Sequence, residues 1–299
     1  MLQKRNIIIG YSTFLISAIL WGSVSTIAKP TLNTIDPLLL SALVLIIAGL
    51  FFTPLTRRKS PIQKIPSKYY LLLFITALCG TVIGPFLFFI GLEKTTASDT
   101  SLLSNAESVF SIIIALLIFN ERLNKSGVLA IILILSGVII LTTNLEFEDS
   151  LTFNYGNLFV IAATLFWGLD NNLTKIVIQH IDITRMVQLK SLIGGVILLI
   201  IAFFLRIPIN IHYSEILPIV ILGIFGFGVS LYFALQSVKQ IGVIRSSLIP
   251  AFAALFGVIF ATIFLNEQIG SYQIIAGIVM LGGIYLLYKN EKYLNKEES

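Results

Sequence analysis

Long runs of apolar residues, separated by short polar or proline-containing segments, make up most of this chain. A transmembrane helix needs about 20 mostly apolar residues. Ten stretches meet this requirement: 7–29, 37–56, 69–92, 97–119, 126–143, 156–178, 184–205, 215–237, 243–265 and 271–289. The pattern therefore predicts an all-α polytopic membrane protein with ten transmembrane helices.

The second half of the chain repeats the first at a displacement of 146 residues. The two tryptophans, Trp21 and Trp167, are related by this shift, and each precedes a glycine. The same shift, without a gap, pairs Asp36 with Asp182, Phe110 with Phe256, Asn120-Glu121 with Asn266-Glu267 and Gly137 with Gly283. A single register held this far indicates an internal duplication. We predict two five-helix repeats, residues 1–146 and 147–299.

The number of helices in each repeat is odd, so the second repeat enters the membrane from the opposite face. Lys29 and Lys175, which the shift relates, then end their helices on opposite sides. Inverted repeats related by a pseudo-two-fold axis in the membrane plane are typical of carriers, in which one central site opens alternately to each face. This parity is the main sequence argument for a transporter.

Composition and charge support a membrane location. Charged residues make up only 12% of the chain, against roughly 25% in an ordinary soluble domain, so lipid must cover much of the surface. Of the 20 Lys and Arg residues, 16 fall on the side of the N-terminus, three on the other side, and Lys190 lies within a helix. Because cytoplasmic loops carry excess Lys and Arg, we expect a cell-membrane protein with both termini in the cytoplasm. The net charge of +5 then reflects topology, and no nucleic-acid partner is expected.

Three ionisable residues are predicted at membrane depth: Glu107, Asp170 and Lys190. Burying such a group costs on the order of 2.5–3.5 kcal/mol on insertion scales, so each is a candidate functional residue. Asp170 and Lys190 lie at similar depth on helices joined by a short turn. They can form either a fixed structural ion pair or a pair for which substrate or a proton competes. Glu107 has no cationic partner at its depth, and it is a candidate proton carrier or an interhelical hydrogen-bonding group.

Aromatic residues at the same depth are candidates for contact with a substrate. Trp21 and Trp167 lie inside their spans and can wall a cavity together, with simple packing as the alternative reading. Phe86 and Tyr232 are equivalent under the shift and can act in the same way. Neutral hydrogen-bonding groups within the spans are Asn105, Asn171, Asn172, Gln188 and Gln236.

The sequence shows no signature of a disulfide framework, a metal site or a catalytic centre. Glu121 and Glu267 each follow a span, and we expect each to cap the helix that follows it. The single cysteine, Cys79, excludes a disulfide framework and a cysteine-based metal site. The sequence also lacks a phosphate-binding loop, a metal-ligand cluster and a convincing catalytic Ser/His or paired-Asp arrangement. We therefore predict no cofactor, no metal and no enzymatic activity.

These residues resemble the EamA-type permeases of the drug/metabolite transporter superfamily. The match lies in the Trp-Gly pairs of the first and sixth spans and in the segment from Glu107 to Leu123, which the second copy repeats from Ile249 to Glu267. The resemblance covers nearly the whole chain. It implies a permease for amino acids, related compounds or other small metabolites, often an exporter, with a central cavity between spans 1, 3, 4, 6, 8 and 9.

Carried onto this chain, the resemblance implies that the substrate-binding residues are Trp21, Phe86, Asn105, Glu107, Trp167, Asp170, Asn171 and Tyr232. Lys190 of the seventh span is expected to support these residues without contacting the substrate. Ser108 stands where many relatives have proline. We expect a secondary transporter of a small molecule, embedded in the bilayer as a monomer or homodimer, with proton coupling as an option. The alternatives are a passive facilitator or channel and a lipid-moving member of the superfamily. A membrane-embedded enzyme is less favoured, because the sequence offers no nucleophile or metal constellation.

Overall fold

The computed structural model describes the backbone of residues 2–58, 66–119, 125–143, 154–241 and 249–297. Within these ranges the regular structure forms ten helices, as the hydrophobic pattern predicts. Their bounds are α1 Leu2–Thr31, α2 Pro37–Arg58, α3 Ser67–Lys94, α4 Ala97–Leu103 continued by Ala106–Phe119, α5 Lys125–Thr143, α6 Tyr155–Val177, α7 Ile183–Phe204, α8 Tyr213–Ile241, α9 Ile249–Leu265 and α10 Ser271–Glu297. The boundary between the predicted repeats, the segment Asn120–Leu123 and the start of the predicted ninth span lie outside the described residues.

Seven of the described helices, α1 to α5, α7 and α8, are long and apolar enough to cross a membrane. Two more, Ile249–Leu265 and Ser271–Leu286, are shorter apolar helices. α6 is long enough but more polar, because it carries the sequence Asp170-Asn171-Asn172 near its centre. The all-α polytopic architecture is confirmed.

The helices pack in a pattern that a pseudo-two-fold axis requires. α1 packs on α8 and α9, and its equivalent α6 packs on α3 and α4. In the same way α2 packs on α8, and its equivalent α7 packs on α3. Three further pairs join a helix to its own equivalent: α2 with α7, α4 with α9 and α5 with α10. Each repeat therefore contributes half of one bundle, and neither forms a separate core.

The duplication is also visible in single close contacts. A Cβ at Gly22 would lie 2.9 Å from the Cβ of Phe256, and one at Gly168 would lie 2.9 Å from the Cβ of Phe110. The shift of 146 residues turns the first contact into the second. Because only glycine allows this approach, the Trp-Gly motif sets how closely α1 meets α9 and α6 meets α4.

Local backbone structure repeats as well. Asp36 Oδ1 accepts a hydrogen bond from a backbone N–H in the first turn of α2 at 2.8 Å, and Asp182 Oδ1 does the same for α7 at 2.9 Å, as preferred N-cap residues do. π-Helical segments widen α3 at Leu78–Ile83 and α8 at Leu222–Val229. Such segments are rare and are often found at functional sites.

One element differs from the predicted span. The sequence predicts a continuous helix over 97–119, but α4 is interrupted between Leu103 and Ala106. At this break the N–H groups of Asn105 and Glu107 bond to carbonyls three residues earlier, at 3.1 and 3.2 Å. The α-helical hydrogen bonding of α4 is therefore interrupted immediately before Glu107, at a position without a proline.

Candidate functional site

The helix ends define two faces of the bundle, which we call the N-terminal face, where α1 begins, and the far face, where α1 ends. A cavity of about 140 Å³ lies at the centre and extends toward the N-terminal face. Six predicted residues line it: Trp21, Glu107, Trp167, Asp170, Asn171 and Lys190. The structure thus brings most of the predicted site together, in the interface between the repeats.

A cluster of aromatic rings closes this cavity toward the far face. The rings of Trp21 and Trp167 meet edge to face, with centroids 5.2 Å apart. Phe227 packs on Trp21 at 5.4 Å, and Phe88 packs on Trp167 at 5.3 Å. Trp167 Nε1 also donates a hydrogen bond to the carbonyl oxygen of Gly80 at 3.2 Å. The two indoles therefore form one layer across the centre of the protein and do not face lipid.

Asp170 and Lys190 form the ion pair that their depths predict. Lys190 Nζ lies 2.6 Å from both carboxylate oxygens of Asp170, and Thr174 Oγ1 donates to Asp170 Oδ1 at 3.0 Å. Lys190 is only 2% exposed. Gly80 packs directly on the Asp170 carboxylate, where a Cβ would collide with it. The pair joins α6 to α7 and contributes one charge of each sign to the cavity wall.

Glu107 of α4 lines the same cavity. Its Oε1 accepts a hydrogen bond from Asn171 Nδ2 at 2.6 Å, which links α4 to α6. Glu107 is half-buried and Asn171 is exposed to the cavity. Since Asp170 and Lys190 compensate each other, an ionised Glu107 would give the cavity an excess of negative charge.

A much smaller pocket of about 10 Å³ lies beyond the tryptophan layer, toward the far face. Its lining includes Ser25, Ser101 and Ala253. Under the repeat shift, Ser25 corresponds to Asn171 and Ala253 corresponds to Glu107. This far pocket is therefore the much smaller and uncharged counterpart of the central cavity.

Three predicted residues lie outside the lining of the central cavity. Phe86 packs against the main hydrophobic core. Asn105 is 1% exposed and lies against Met280 at the break in α4. Tyr232 packs on Phe52 with ring centroids 5.7 Å apart. Their part in substrate binding remains a prediction that the geometry of this cavity does not support.

The cavity also includes hydroxyl groups that the sequence analysis did not select. Ser17, Thr81, Ser191 and Ser230 line it beside the charged residues. Ser17 lies four residues before Trp21 and therefore on the same helical face, which is a signal that could have identified it. For the other three hydroxyls, we find no comparable pattern in the sequence.

The contacts of Glu267 differ from those expected from the sequence. Its carboxylate does not cap α10, the helix that follows it. It accepts hydrogen bonds from the backbone N–H groups of Ala97 and Ser98, at 2.8 and 2.9 Å, at the start of α4 in the other repeat. The expected capping of the following helix is therefore wrong for Glu267, and Glu121 lies outside the described residues.

Among the described residues, no group of three or more His, Cys, Asp and Glu side chains could hold a metal ion. The groups that the cavity offers to a ligand are one ion pair, one additional carboxyl group, an amide, several hydroxyls and the aromatic rings of the tryptophan layer.

Comparison with known proteins gives consistent matches. The profile of the EamA-like transporter family matches residues 8–143 and again residues 154–289. An uncharacterized transporter of Methanothermobacter thermautotrophicus is 36% identical over 299 residues, covering 95% of this chain and 87% of that protein. The uncharacterized transporter YoaV of Bacillus subtilis is 24% identical, over 90% of this chain and 92% of its own length. A protein of known crystal structure has the same fold, with a TM-score of 0.70 at 18% identity over 95% of this chain and 96% of its own.

Proposed function

The chain belongs to the EamA-like transporter family, and from this membership we propose that it is a secondary transporter working by alternating access. The resemblance inferred from the sequence is confirmed, and the protein is a multi-pass membrane transporter, not an enzyme. We propose further that it lies in the cell membrane with both termini in the cytoplasm. Its substrates are small metabolites, amino acids or related compounds, and its direction is export.

The observation that carries this proposal is the difference between the two pockets that flank the tryptophan layer. The central cavity has a volume of about 140 Å³ and reaches toward the N-terminal face, while its counterpart on the far side has a volume of only about 10 Å³. Inverted repeats can exchange these two arrangements, so that one site opens to each side in turn. With the N-terminal face in the cytoplasm, we propose that this arrangement corresponds to an inward-facing state that can load substrate for export.

The charges of the cavity support a substrate that carries an amine. Glu107 and Asp170 supply two carboxyl groups, and the single ammonium group of Lys190 compensates only that of Asp170. A cationic group entering the cavity can therefore pair with Glu107, while the tryptophan layer contacts the apolar part of the molecule. A cavity of about 140 Å³ corresponds to the volume of roughly five water molecules in the liquid, which suits a small metabolite. The same carboxyl group of Glu107 can carry a proton on the return step.

Transport by purified protein in proteoliposomes tests these roles. Glu107→Gln keeps the size of the side chain but removes its charge, and we expect it to abolish uptake while the protein remains monodisperse. Glu93→Gln is the matched control, because Glu93 is an exposed carboxylate at the end of α3. Wild-type uptake by Glu107→Gln would remove Glu107 from the mechanism.

Asp170 needs a paired design, because Asp170→Asn leaves the Lys190 ammonium buried without its carboxylate. We expect Asp170→Asn to abolish uptake, and the double variant Asp170→Asn/Lys190→Met to do the same without a buried charge. Full activity of the double variant would make the pair structural only. A passive facilitator is distinguished by its inability to accumulate substrate against a gradient and by its indifference to a protonophore.

A further inference from the structure

The corner that joins α3 to α4, residues 92–99, is held by side chains from both repeats. Lys29 of α1 donates all of its ammonium hydrogen bonds to this corner: to the carbonyl oxygens of Leu92 at 2.8 Å, Glu93 at 3.0 Å and Thr95 at 2.6 Å. These carbonyls lie at the C-terminal end of α3, where a positive charge is favourable. A residue of α1 therefore completes the end of α3.

Glu267, which follows α9, holds the other side of the same corner. Besides the N–H groups of Ala97 and Ser98, its carboxylate accepts a hydrogen bond from Ser98 Oγ at 2.6 Å. These N–H groups lie at the N-terminal end of α4, where a negative charge is favourable. Lys29 and Glu267 thus bind the two helix ends that meet at the corner, each with the charge that its helix end prefers.

Two further helices of the second repeat contact the corner. Thr95 Oγ1 donates to Asn157 Oδ1 of α6 at 2.6 Å, and Gln273 Nε2 of α10 donates to Asp99 Oδ1 at 2.7 Å. Both Thr95 and Asp99 are buried. The corner is therefore the place on the far face where α1, α6, α9 and α10 converge.

The corner lies next to the far pocket, which residues of α4 just beyond the corner line. Ser101, two residues beyond the corner on α4, lines that pocket, and its Oγ lies 2.7 Å from Ser25 Oγ of α1. A path from the far face to the tryptophan layer must therefore separate α1 and α9 from this corner. Helix ends leave unpaired carbonyl and N–H groups that water can also satisfy. The contacts of Lys29 and Glu267 with these helix ends can therefore break without unfolding a helix.

We propose that the corner 92–99 is the far-face gate of the transporter, and that Lys29 and Glu267 are the two residues that hold it shut. The gate rests on the alternating-access function proposed above. Lys29 and Glu267 lie outside the lining of the central cavity, so they act on which face is open and do not contact the substrate there.

Cysteine labelling in intact cells tests the gate without any knowledge of the substrate. The parent protein carries Cys79→Ala, which removes the single native thiol, and Ser101→Cys, which places a thiol in the far pocket. A membrane-impermeant maleimide added outside should label the parent slowly. Lys29→Met and Glu267→Ala should each raise the labelling rate at least tenfold, while Lys29→Arg should stay within about twofold of the parent. Glu93→Gln, the exposed control on the same corner, should leave the rate unchanged.

The outcomes separate the gate from the proposed function. Labelling rates within twofold of the parent in both Lys29→Met and Glu267→Ala would overturn the gate, even if transport by the wild type is demonstrated. Faster labelling supports the gate even if the first substrates tried are not transported. The two variants act on different helix ends, so if one fails to accumulate as a monodisperse protein, the other decides the question.

Discussion

The buried ion pair between Asp170 and Lys190 allows a quantitative prediction. The two side chains are 11% and 2% exposed, and Lys190 Nζ lies 2.6 Å from both carboxylate oxygens. Removing one partner of such a pair costs about 3–5 kcal/mol, because the remaining charge stays buried without compensation. After Asp170→Asn, Lys190 would keep one amide oxygen and Thr174 Oγ1, at 3.3 Å, as acceptors, but no negative charge. We therefore expect Asp170→Asn and Lys190→Met each to lower the free energy of unfolding by about 3–5 kcal/mol.

The double variant should be more stable than the sum of the single effects predicts. Asp170→Asn/Lys190→Met leaves no buried charge, and we expect a coupling free energy of about 2 kcal/mol or more between the two positions. The assay is equilibrium unfolding of the purified protein in mixed micelles with increasing denaturing detergent. Lys94 and Glu93 form the control pair, at 3.5 Å and with side chains 50% and 39% exposed, and neutralising either should cost no more than about 1 kcal/mol. Additive effects of Asp170→Asn and Lys190→Met, at the level of this control, would refute the reasoning.

Two further predictions concern packing and topology. Gly80→Ala should impair uptake and lower stability, because its Cβ would collide with the Asp170 carboxylate. Gly282→Ala is the control and should be neutral, since a Cβ there meets nothing within 4 Å. Equal uptake and equal melting temperatures of the two variants would contradict this account of Gly80. Single cysteines at positions 29 and 175 in a Cys79→Ala background should react with an impermeant reagent from opposite sides of the membrane, and reaction from the same side would contradict the inverted topology.

Much of the site follows from local features of the chain. The repeat at 146 residues relates Trp21 and Trp167, both lie near the middle of their helices and therefore at similar depth, and the structure brings their rings into contact. The short turn between α6 and α7 places Asp170 and Lys190 at the same depth, and they pair. These predictions hold because the depth of a residue in a membrane helix follows from the number of residues that separate it from the helix end.

Positions that depend on helix rotation were less predictable. Phe86 and Tyr232 are equivalent in sequence and at suitable depth, yet neither lines the central cavity. The π-helical segments that precede them in α3 and α8 change the angular register of the residues that follow. Hydropathy does not record this change, since it is the same for every rotation of a helix about its axis.

The sequence by itself determined the ten helices, the duplication and the level of the charged residues, because apolar length and repeat register are properties of the linear chain. Only the tertiary structure decided which side of the tryptophan layer is open, and that Glu267 caps a helix of the other repeat. Glu267 and Ser98 are 169 residues apart, and their contact depends on how the two repeats pack across the pseudo-two-fold axis. That packing is set by close contacts at glycines such as Gly22 and Gly168, and these become visible only when all the helices are in place.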